Sequence, residues 1–301
     1  MSEPAIQISG VAKAFGGKAV LKKVDLCVPT GSVTGLLGKN GAGKTTLIKC
    51  LLGLLKCNSG QSLLLGQSAW SLNAASKARL GYVPQSAGLY PWLKIHQLIA
   101  YTAAYYPRWN QGLVDELLSR WELSAGQRIG SLSIGTQQKL AIILALGHEP
   151  DLLVLDEPAA SLDPSARREF LKAILAVASE GTRTVLFSTH ITSDLERVAD
   201  RVAVLKDGVI EYSGDLDALK DSMKRWHITA AGPLPADLGT AGAVPGVVRA
   251  SVHGSEAILT VRGATRGALR AAENRFGANI EVEDLSLEDI FLEMHHHAGA
   301  E

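Results

Sequence analysis

Cysteine is scarce: Cys27, Cys50 and Cys57 are the only three in 301 residues. They are too few for a disulfide framework, and no metal-ligand spacing joins them, so a reducing cytosol is the expected compartment. Long apolar runs are missing as well. The longest, residues 140–147 and 152–155, meet a charged or polar residue within a few positions. A membrane-spanning helix needs about 20 apolar residues, so the chain is not expected to cross a bilayer by itself. The start, Met-Ser-Glu-Pro, has no basic stretch followed by an apolar core, and no signal peptide is expected. Net charge is absent too, with 30 Lys+Arg against 30 Asp+Glu. A nucleic-acid binder would show a concentrated basic face, so nucleic acid is not an expected partner.

What is present excludes a disordered polymer, for 47% of residues are hydrophobic and 20% charged. The length allows one large domain or two of ordinary size. Charge divides the chain: residues 1–226 hold 25 basic and 20 acidic side chains, residues 227–301 hold 5 and 10. That shift suggests two units.

In the first two-thirds, short apolar runs alternate with amphipathic stretches. Residues 6–8, 20–28, 33–37, 62–65, 80–83, 152–155, 184–188 and 202–205 read as strands, with helices at 45–55 and 164–179. Strands alternating with helices predict an α/β fold with a largely parallel sheet. Residues 95–148 are helical in pattern and read as an insertion. Lys206-Asp207-Gly208 is a hairpin signal. After Trp226 the texture changes: a Gly-, Ala- and Pro-rich loop at 231–246 precedes strands at 247–252, 257–261 and 280–282 and helices at 265–276 and 287–294. This predicts a small α+β domain.

Gly38-Lys39-Asn40-Gly41-Ala42-Gly43-Lys44-Thr45 fits G-x-x-x-x-G-K-[ST] without mismatch. In such a loop backbone N–H groups converge on phosphates, and glycine permits the close approach. The Lys44 ammonium reaches the β- and γ-phosphates, and the Thr45 hydroxyl completes a Mg²⁺ shell. The loop follows one expected strand and opens the next helix, which is the context the chemistry requires.

Leu152-Leu153-Val154-Leu155-Asp156-Glu157 is an apolar run ending in two acids. The C-terminal end of a parallel strand faces the ligand. Asp156 can hold Mg²⁺ there, directly or through water. Strand alternation sends Glu157 the other way, free to act as general base or to orient the attacking water. Further along stand Gln85, the segment Leu132-Ser133-Ile134-Gly135-Thr136-Gln137-Gln138-Lys139, the segment Ala160-Ser161-Leu162-Asp163, and His190. Taken singly, Gln85 reads as a turn residue, Ser133 and Asp163 as helix caps, and His190 as a core histidine.

In this order and spacing the motifs resemble the nucleotide-binding subunit of an ATP-binding-cassette (ABC) transporter, over about residues 5–215. The resemblance implies a P-loop NTPase core with a mixed sheet, antiparallel edge strands and a helical subdomain at 95–148. That ATP-binding domain would occupy 1–225, and a small α+β accessory domain with a flexible tail 226–301. It implies that ATP is held by Gly38, Asn40, Gly41, Ala42, Gly43, Lys44, Thr45 and Thr46. Mg²⁺ would be held by Thr45, Gln85 and Asp156, and Gln85 would also sense the membrane partner. Glu157, His190 and Gln85 would serve hydrolysis, with His190 in contact with the γ-phosphate. Ser133 and Gly135, in the signature motif, would contact the γ-phosphate on the opposite subunit, with Asp163 in the inter-subunit loop. Phe15 matches the position that stacks on adenine, and equally suits a buried strand end.

Two departures stand in the signature, commonly Leu-Ser-Gly-Gly-Gln: Ile134 and Thr136 replace the first Gly and the Gln. Lys39 stands where Pro is frequent. Residues 286–294 are similar to the C-terminal end of cassette subunits of drug-, lipid- or antibiotic-exporting systems. Leu287, Ile290, Phe291 and Met294 there make one apolar stripe, suited to packing on its own domain or to pairing subunits. His295, His296 and His297 are expected in a flexible tail. Tyr90, Trp92, Tyr105, Tyr106 and Trp109 form an aromatic cluster, in the region where the family receives a helix of the membrane subunit; the alternative is ordinary core. The resemblance implies a homodimer or heterodimer that powers a separately encoded permease, an exporter, from the cytoplasmic face of the membrane. The rivals are a soluble ABC ATPase of translation or DNA repair, an importer subunit, and a kinase or GTPase using the same loop. No guanine-reading Asn-Lys-x-Asp stretch favours the last.

Overall fold

The computed structural model describes residues 3–160, 162–179, 183–235, 238 and 244–295. Ser161, part of the glycine- and alanine-rich loop at 231–246, and the tail from His296 onward lie outside the described residues. The chain divides into two units, up to Ser213 and from Gly214.

The first unit holds two sheets. A six-stranded sheet has the order β10 (Val209–Asp215), β9 (Arg201–Lys206), β3 (Val33–Leu37), β8 (Thr184–Thr189), β7 (Leu152–Asp156), β6 (Leu80–Val83). The pairs β9–β3, β3–β8, β8–β7 and β7–β6 are parallel. Every residue of β3, β7 and β8 is buried, as continuous apolar runs require when helices cover both faces. The turn from β9 to β10 places Asp207 and Gly208 at positive φ, as a tight two-residue hairpin needs. The second sheet has the order β2 (Lys18–Val28), β1 (Ile6–Phe15), β4 (Ser59–Leu64), β5 (Gln67–Ser68), and its pairs are antiparallel.

Helix α1 (Lys44–Leu51) lies between the sheets. Its Leu47, Ile48 and Leu51 pack in one cluster with Ile6, Val24 and Val28 from one sheet and Val154, Leu186 and Leu205 from the other. The helix that bears the phosphate loop is thus wedged in core at its far end. It stops at Leu51 rather than Leu55, and Gly53 beyond it takes φ +68°. After α2 (Ala74–Lys77) and β6 come α3 (Ile95–Ala103), α4 (Gln111–Arg120) and α5 (Ile134–Leu146), the expected helical stretch. In α5 each residue from Leu140 to Leu146 is buried. Helix α6 (Pro164–Ser179) links β7 to β8, and α7 (Thr192–Val198) links β8 to β9. A Cβ on Gly35 of β3 would stand 1.8 Å from Leu195 of α7, so only glycine lets that helix lie so close.

The second unit starts with α8 (Leu216–Ser222) and β11 (Met223–Ala230). The division therefore falls earlier than 225/226, because α8 packs on β11 and β11 is a central strand of the second unit's sheet. That sheet has the order β12 (Val247–His253), β13 (Glu256–Arg262), β11, β14 (Ala278–Asp284), with antiparallel pairs. Helix α9 (Arg266–Phe276) is capped by the Thr265 hydroxyl and ends at Gly277, φ +55°. It supplies Ala272 to a core with Trp226, Ile228, Leu259 and Val261. Helix α10 (Leu287–His295) meets the other face: Thr260 Oγ1 donates to Glu293 at 3.3 Å, and Arg225 to Asp289 at 3.4 Å. The stripe Leu287, Ile290, Phe291 and Met294 is buried. His295 closes this helix instead of opening a tail, donating from Nδ1 to the Phe291 carbonyl at 2.7 Å.

Trp226 is 1% exposed and central to the second unit's core. Trp226→Ala is expected to cost that unit about 3–5 kcal/mol. Hydrogen exchange should speed up across β11, β13 and β14 while β3, β7 and β8 stay protected; unchanged exchange would remove Trp226 from the core.

Candidate functional site

Residues 38–45 run from the end of β3 into α1. Gly41 and Gly43 take φ +83° and +106°, in the left-handed region that side chains disfavour. Gly43 is the N-cap of α1 and offers no side chain, so the first-turn N–H groups of the helix are left to a ligand. A Cβ on Gly38 would press to 2.6 Å from the Leu205 carbonyl oxygen.

Lys44 is 4% exposed. Its ammonium donates to the Gly38 and Lys39 carbonyls at 2.8 and 3.2 Å and pairs with Glu157 Oε1 at 2.9 Å. Glu157, 9% exposed, meets His190 Nδ1 through its other oxygen at 3.2 Å. An unbroken chain of contacts thus runs from Lys44 through Glu157 to His190. His190 is 38% exposed, which excludes a core histidine.

Strand alternation does not aim Glu157. Strand β7 ends at Asp156, and Glu157 itself adopts φ +44°. That backbone turn sends its carboxylate to Lys44. Such a conformation in a non-glycine residue costs about 1–3 kcal/mol, and the ion pair and a hydrogen bond hold it. The bond comes from Ser188, whose Oγ accepts the Glu157 N–H at 2.9 Å and donates to Asp156 Oδ1 at 2.8 Å. Asp156 and Ser188 are register partners across β7 and β8. Asp156 Oδ2 is buried and has no hydrogen-bond partner. A buried carboxylate oxygen left bare is costly and suits a hard divalent cation such as Mg²⁺. The donor set therefore fits that ion.

A cavity of about 440 Å³ opens at this point, and Asn40, Gly41, Gly43, Lys44, Thr45, Thr46, Gln85, Glu157 and His190 all line it. These expected residues are brought together. Gly38 joins through Lys44, Asp156 through Ser188, and Ala42 turns back onto the Lys39 carbonyl at 3.1 Å. Val20 and Ser188 were not singled out by sequence, and Ala160 only as the first residue of the segment ending at Asp163. Ser188 had one signal, a hydroxyl directly after the apolar run 185–187.

Phe15, Ser133, Gly135 and Asp163 do not line the cavity. Phe15 ends β1 49% exposed, so it is not a buried strand end; the Lys13 ammonium stands 5.1 Å from its ring. Ser133 is the N-cap of α5, and Asp163 accepts the Ser165 and Ala166 N–H groups at the start of α6. Those backbone bonds hold the Asp163 carboxyl below the usual carboxylate range. Gln138 of α5 donates to the Pro84 carbonyl at 3.0 Å, tying that helix to the segment bearing Gln85. The aromatic cluster divides. Tyr90, Trp92, Tyr101 and Tyr105 are exposed and in mutual ring contact, whereas Tyr106 stacks on the buried His148 at 3.9 Å. Among the described residues no cluster of three or more His, Cys, Asp or Glu is arranged to hold a metal, and no helix is long and apolar enough to cross a membrane.

The sequence profile described as "ABC transporter" matches residues 21–160. "Nod factor export ATP-binding protein I" of Rhizobium sp. (strain N33) is 31% identical over 300 residues, covering 98% of each chain. "Bacitracin transport ATP-binding protein BcrA" of Bacillus licheniformis is 31% identical over 223 residues, 73% of each. Among solved structures, the "ATP binding subunit of ABC transporter" superposes with TM-score 0.67 at 26% identity, covering 72% of this chain and 92% of that one.

Ser188→Ala would leave the Glu157 N–H and Asp156 Oδ1 without their shared partner. The expected loss is about 1–3 kcal/mol of unfolding free energy, measured by urea denaturation. An unchanged midpoint would show that Ser188 does not hold the two acids.

Proposed function

This chain belongs to the ABC transporter family and is an ATP-binding, ATP-hydrolysing subunit, and from that premise we propose that it drives export through a separately encoded membrane subunit. Both named relatives are transport subunits, and one aligns over nearly the whole length, second unit included. That supports a transporter over a soluble translation or repair ATPase, and export over import. The exposed patch of Tyr90, Trp92, Tyr101 and Tyr105 suits docking of the membrane partner. Work would then take place at the cytoplasmic face of the membrane.

The observation that carries the mechanism is the Lys44–Glu157 pair, 2.9 Å apart in the cavity. The triphosphate enters the cradle of residues 38–46, with backbone N–H groups and the α1 N-terminus receiving its oxygens. Phosphate oxygens compete with Glu157 for the Lys44 ammonium. Released from Lys44, Glu157 keeps His190 as neighbour and is free to take a proton from water. The water oxygen bonds to the γ-phosphorus, the bond to the bridging oxygen breaks, and ADP leaves with that electron pair. Asp156, Thr45 and Gln85 would hold Mg²⁺, which when bound supplies charge neutralisation for the phosphates. The Phe15 ring offers adenine a stacking surface. Two copies meet head to tail, so that Ser133 and Gly135 of each, at the tip of α5, touch the γ-phosphate held by the other, with Asp163 nearby. Cleavage severs the γ-phosphate from the nucleotide, and when the free phosphate leaves, the charge that both helix tips share goes with it and the pair opens.

Glu157→Gln removes both the base and the anion competing for Lys44. It is expected to bind ATP at least as tightly as the parent, to lose about 10²–10⁴-fold in hydrolysis, and to run as a dimer in light scattering with MgATP. Turnover at the parent rate would reject Glu157 as base. Lys44→Ala should abolish ATP binding in calorimetry, and retained affinity would reject the cradle.

A further inference from the structure

The tip of α5 carries a contact that its signature sequence does not announce. Ser133 Oγ accepts the Thr136 N–H at 3.2 Å and lies 2.8 Å from Thr136 Oγ1. A serine hydroxyl has one hydrogen to give and two lone pairs to offer. The Thr136 N–H takes one lone pair. When the Thr136 hydroxyl donates, it takes the other, and the Ser133 hydrogen alone is left to point outward. A fully ionised phosphate oxygen can only accept, so this is the one orientation in which Ser133 can bind it. In the opposite orientation Ser133 donates inward to Thr136 and would turn a lone pair toward the anion.

We propose that Thr136 is a positioning residue: its hydroxyl fixes Ser133 as a hydrogen-bond donor toward the partner's γ-phosphate. This rests on the head-to-tail reading above and adds to it the residue that sets the serine's proton. Thr136 stands where the common signature has Gln, so the device belongs to this chain's own departure. Its hydroxyl also accepts readily, so the pair can reverse when no phosphate is present. The N-cap then stays formed in both states, because the Thr136 N–H bond is the same in each.

The test uses the full chain with Glu157→Gln, where ATP-driven dimerisation is read by sedimentation and monomer affinity for ATP by calorimetry. Thr136→Val keeps the branched shape and the backbone N–H but removes the hydroxyl. It is expected to weaken dimerisation about 3- to 10-fold while monomer affinity for ATP stays the same. Thr136→Ser should restore dimerisation. Ser133→Ala should weaken it at least as much as Thr136→Val, and the double variant no further than Ser133→Ala alone. Parent-like dimerisation of Thr136→Val beside a weakened Ser133→Ala would overturn the proposal and leave the clamp standing. Parent-like dimerisation of Ser133→Ala would overturn the clamp itself. Failure of Thr136→Ser to rescue, or a loss of monomer ATP affinity in Thr136→Val, would assign the effect to packing and reject the hydroxyl.

Discussion

A buried ammonium and a buried carboxylate, Lys44 and Glu157, hold each other 2.9 Å apart beside the phosphate loop. Removing two charges from water costs several kcal/mol per ion, and mutual attraction offsets that only with good geometry and further hydrogen bonds. Both conditions are met. The Gly38 and Lys39 carbonyls take the remaining donors of Lys44, and His190 takes the second oxygen of Glu157. The pair makes sense as a placeholder. Without an anion, Glu157 supplies the negative charge that Lys44 requires; in the mechanism proposed above, a triphosphate in the cradle releases the carboxylate to the attacking water, so that binding and activation of the base would be one event.

That pairing depends on three strand ends lying level. Leu37 of β3 is the register partner of Thr189 in β8, and Asp156 of β7 that of Ser188. The phosphate loop, the two acids and His190 therefore leave the sheet at one edge, although more than 100 residues separate the first from the others in sequence. Parallel strands make this possible, since all of them point their carboxyl ends the same way. Ser188 then stitches the acids together, and the turn at Glu157 aims a side chain that strand pleating would have sent elsewhere.

The second unit follows different rules. Its sheet is antiparallel, and its strands bury Trp226, Ile228, Leu259 and Val261 on the face that α9 covers. The other face holds Arg225, paired with Asp289 of α10, and at the start of β11 Lys224 pairs with Asp284. Lys224 is raised above the ordinary lysine range by its bonds to Asp284 and Asp221, and the Asp284 carboxyl is held correspondingly low. Asp284 is exposed, so solvent screens its pair with Lys224, which contributes little to stability; the Arg225–Asp289 pair is partly buried.

Much of the nucleotide site was legible in the chain alone, because backbone geometry and phosphate chemistry demand particular residues at short range. A glycine loop must carry glycine where φ is positive, a lysine must follow within reach, and an apolar strand must deliver acids at its end. These are local constraints, and they leave local traces. The same holds for the hairpin at Asp207-Gly208 and the cap at Thr265. Long-range pairing leaves no such trace. That β11 joins the second unit's sheet, that Glu157 faces Lys44 through a left-handed turn, that Phe15 stands in solvent, and that Ser188 bonds both acids were decided only when distant segments met. Each outcome depends on which neighbour lies 3 to 4 Å away, and in a sheet whose adjacent strands are separated by whole helices, only the folded chain supplies that neighbour.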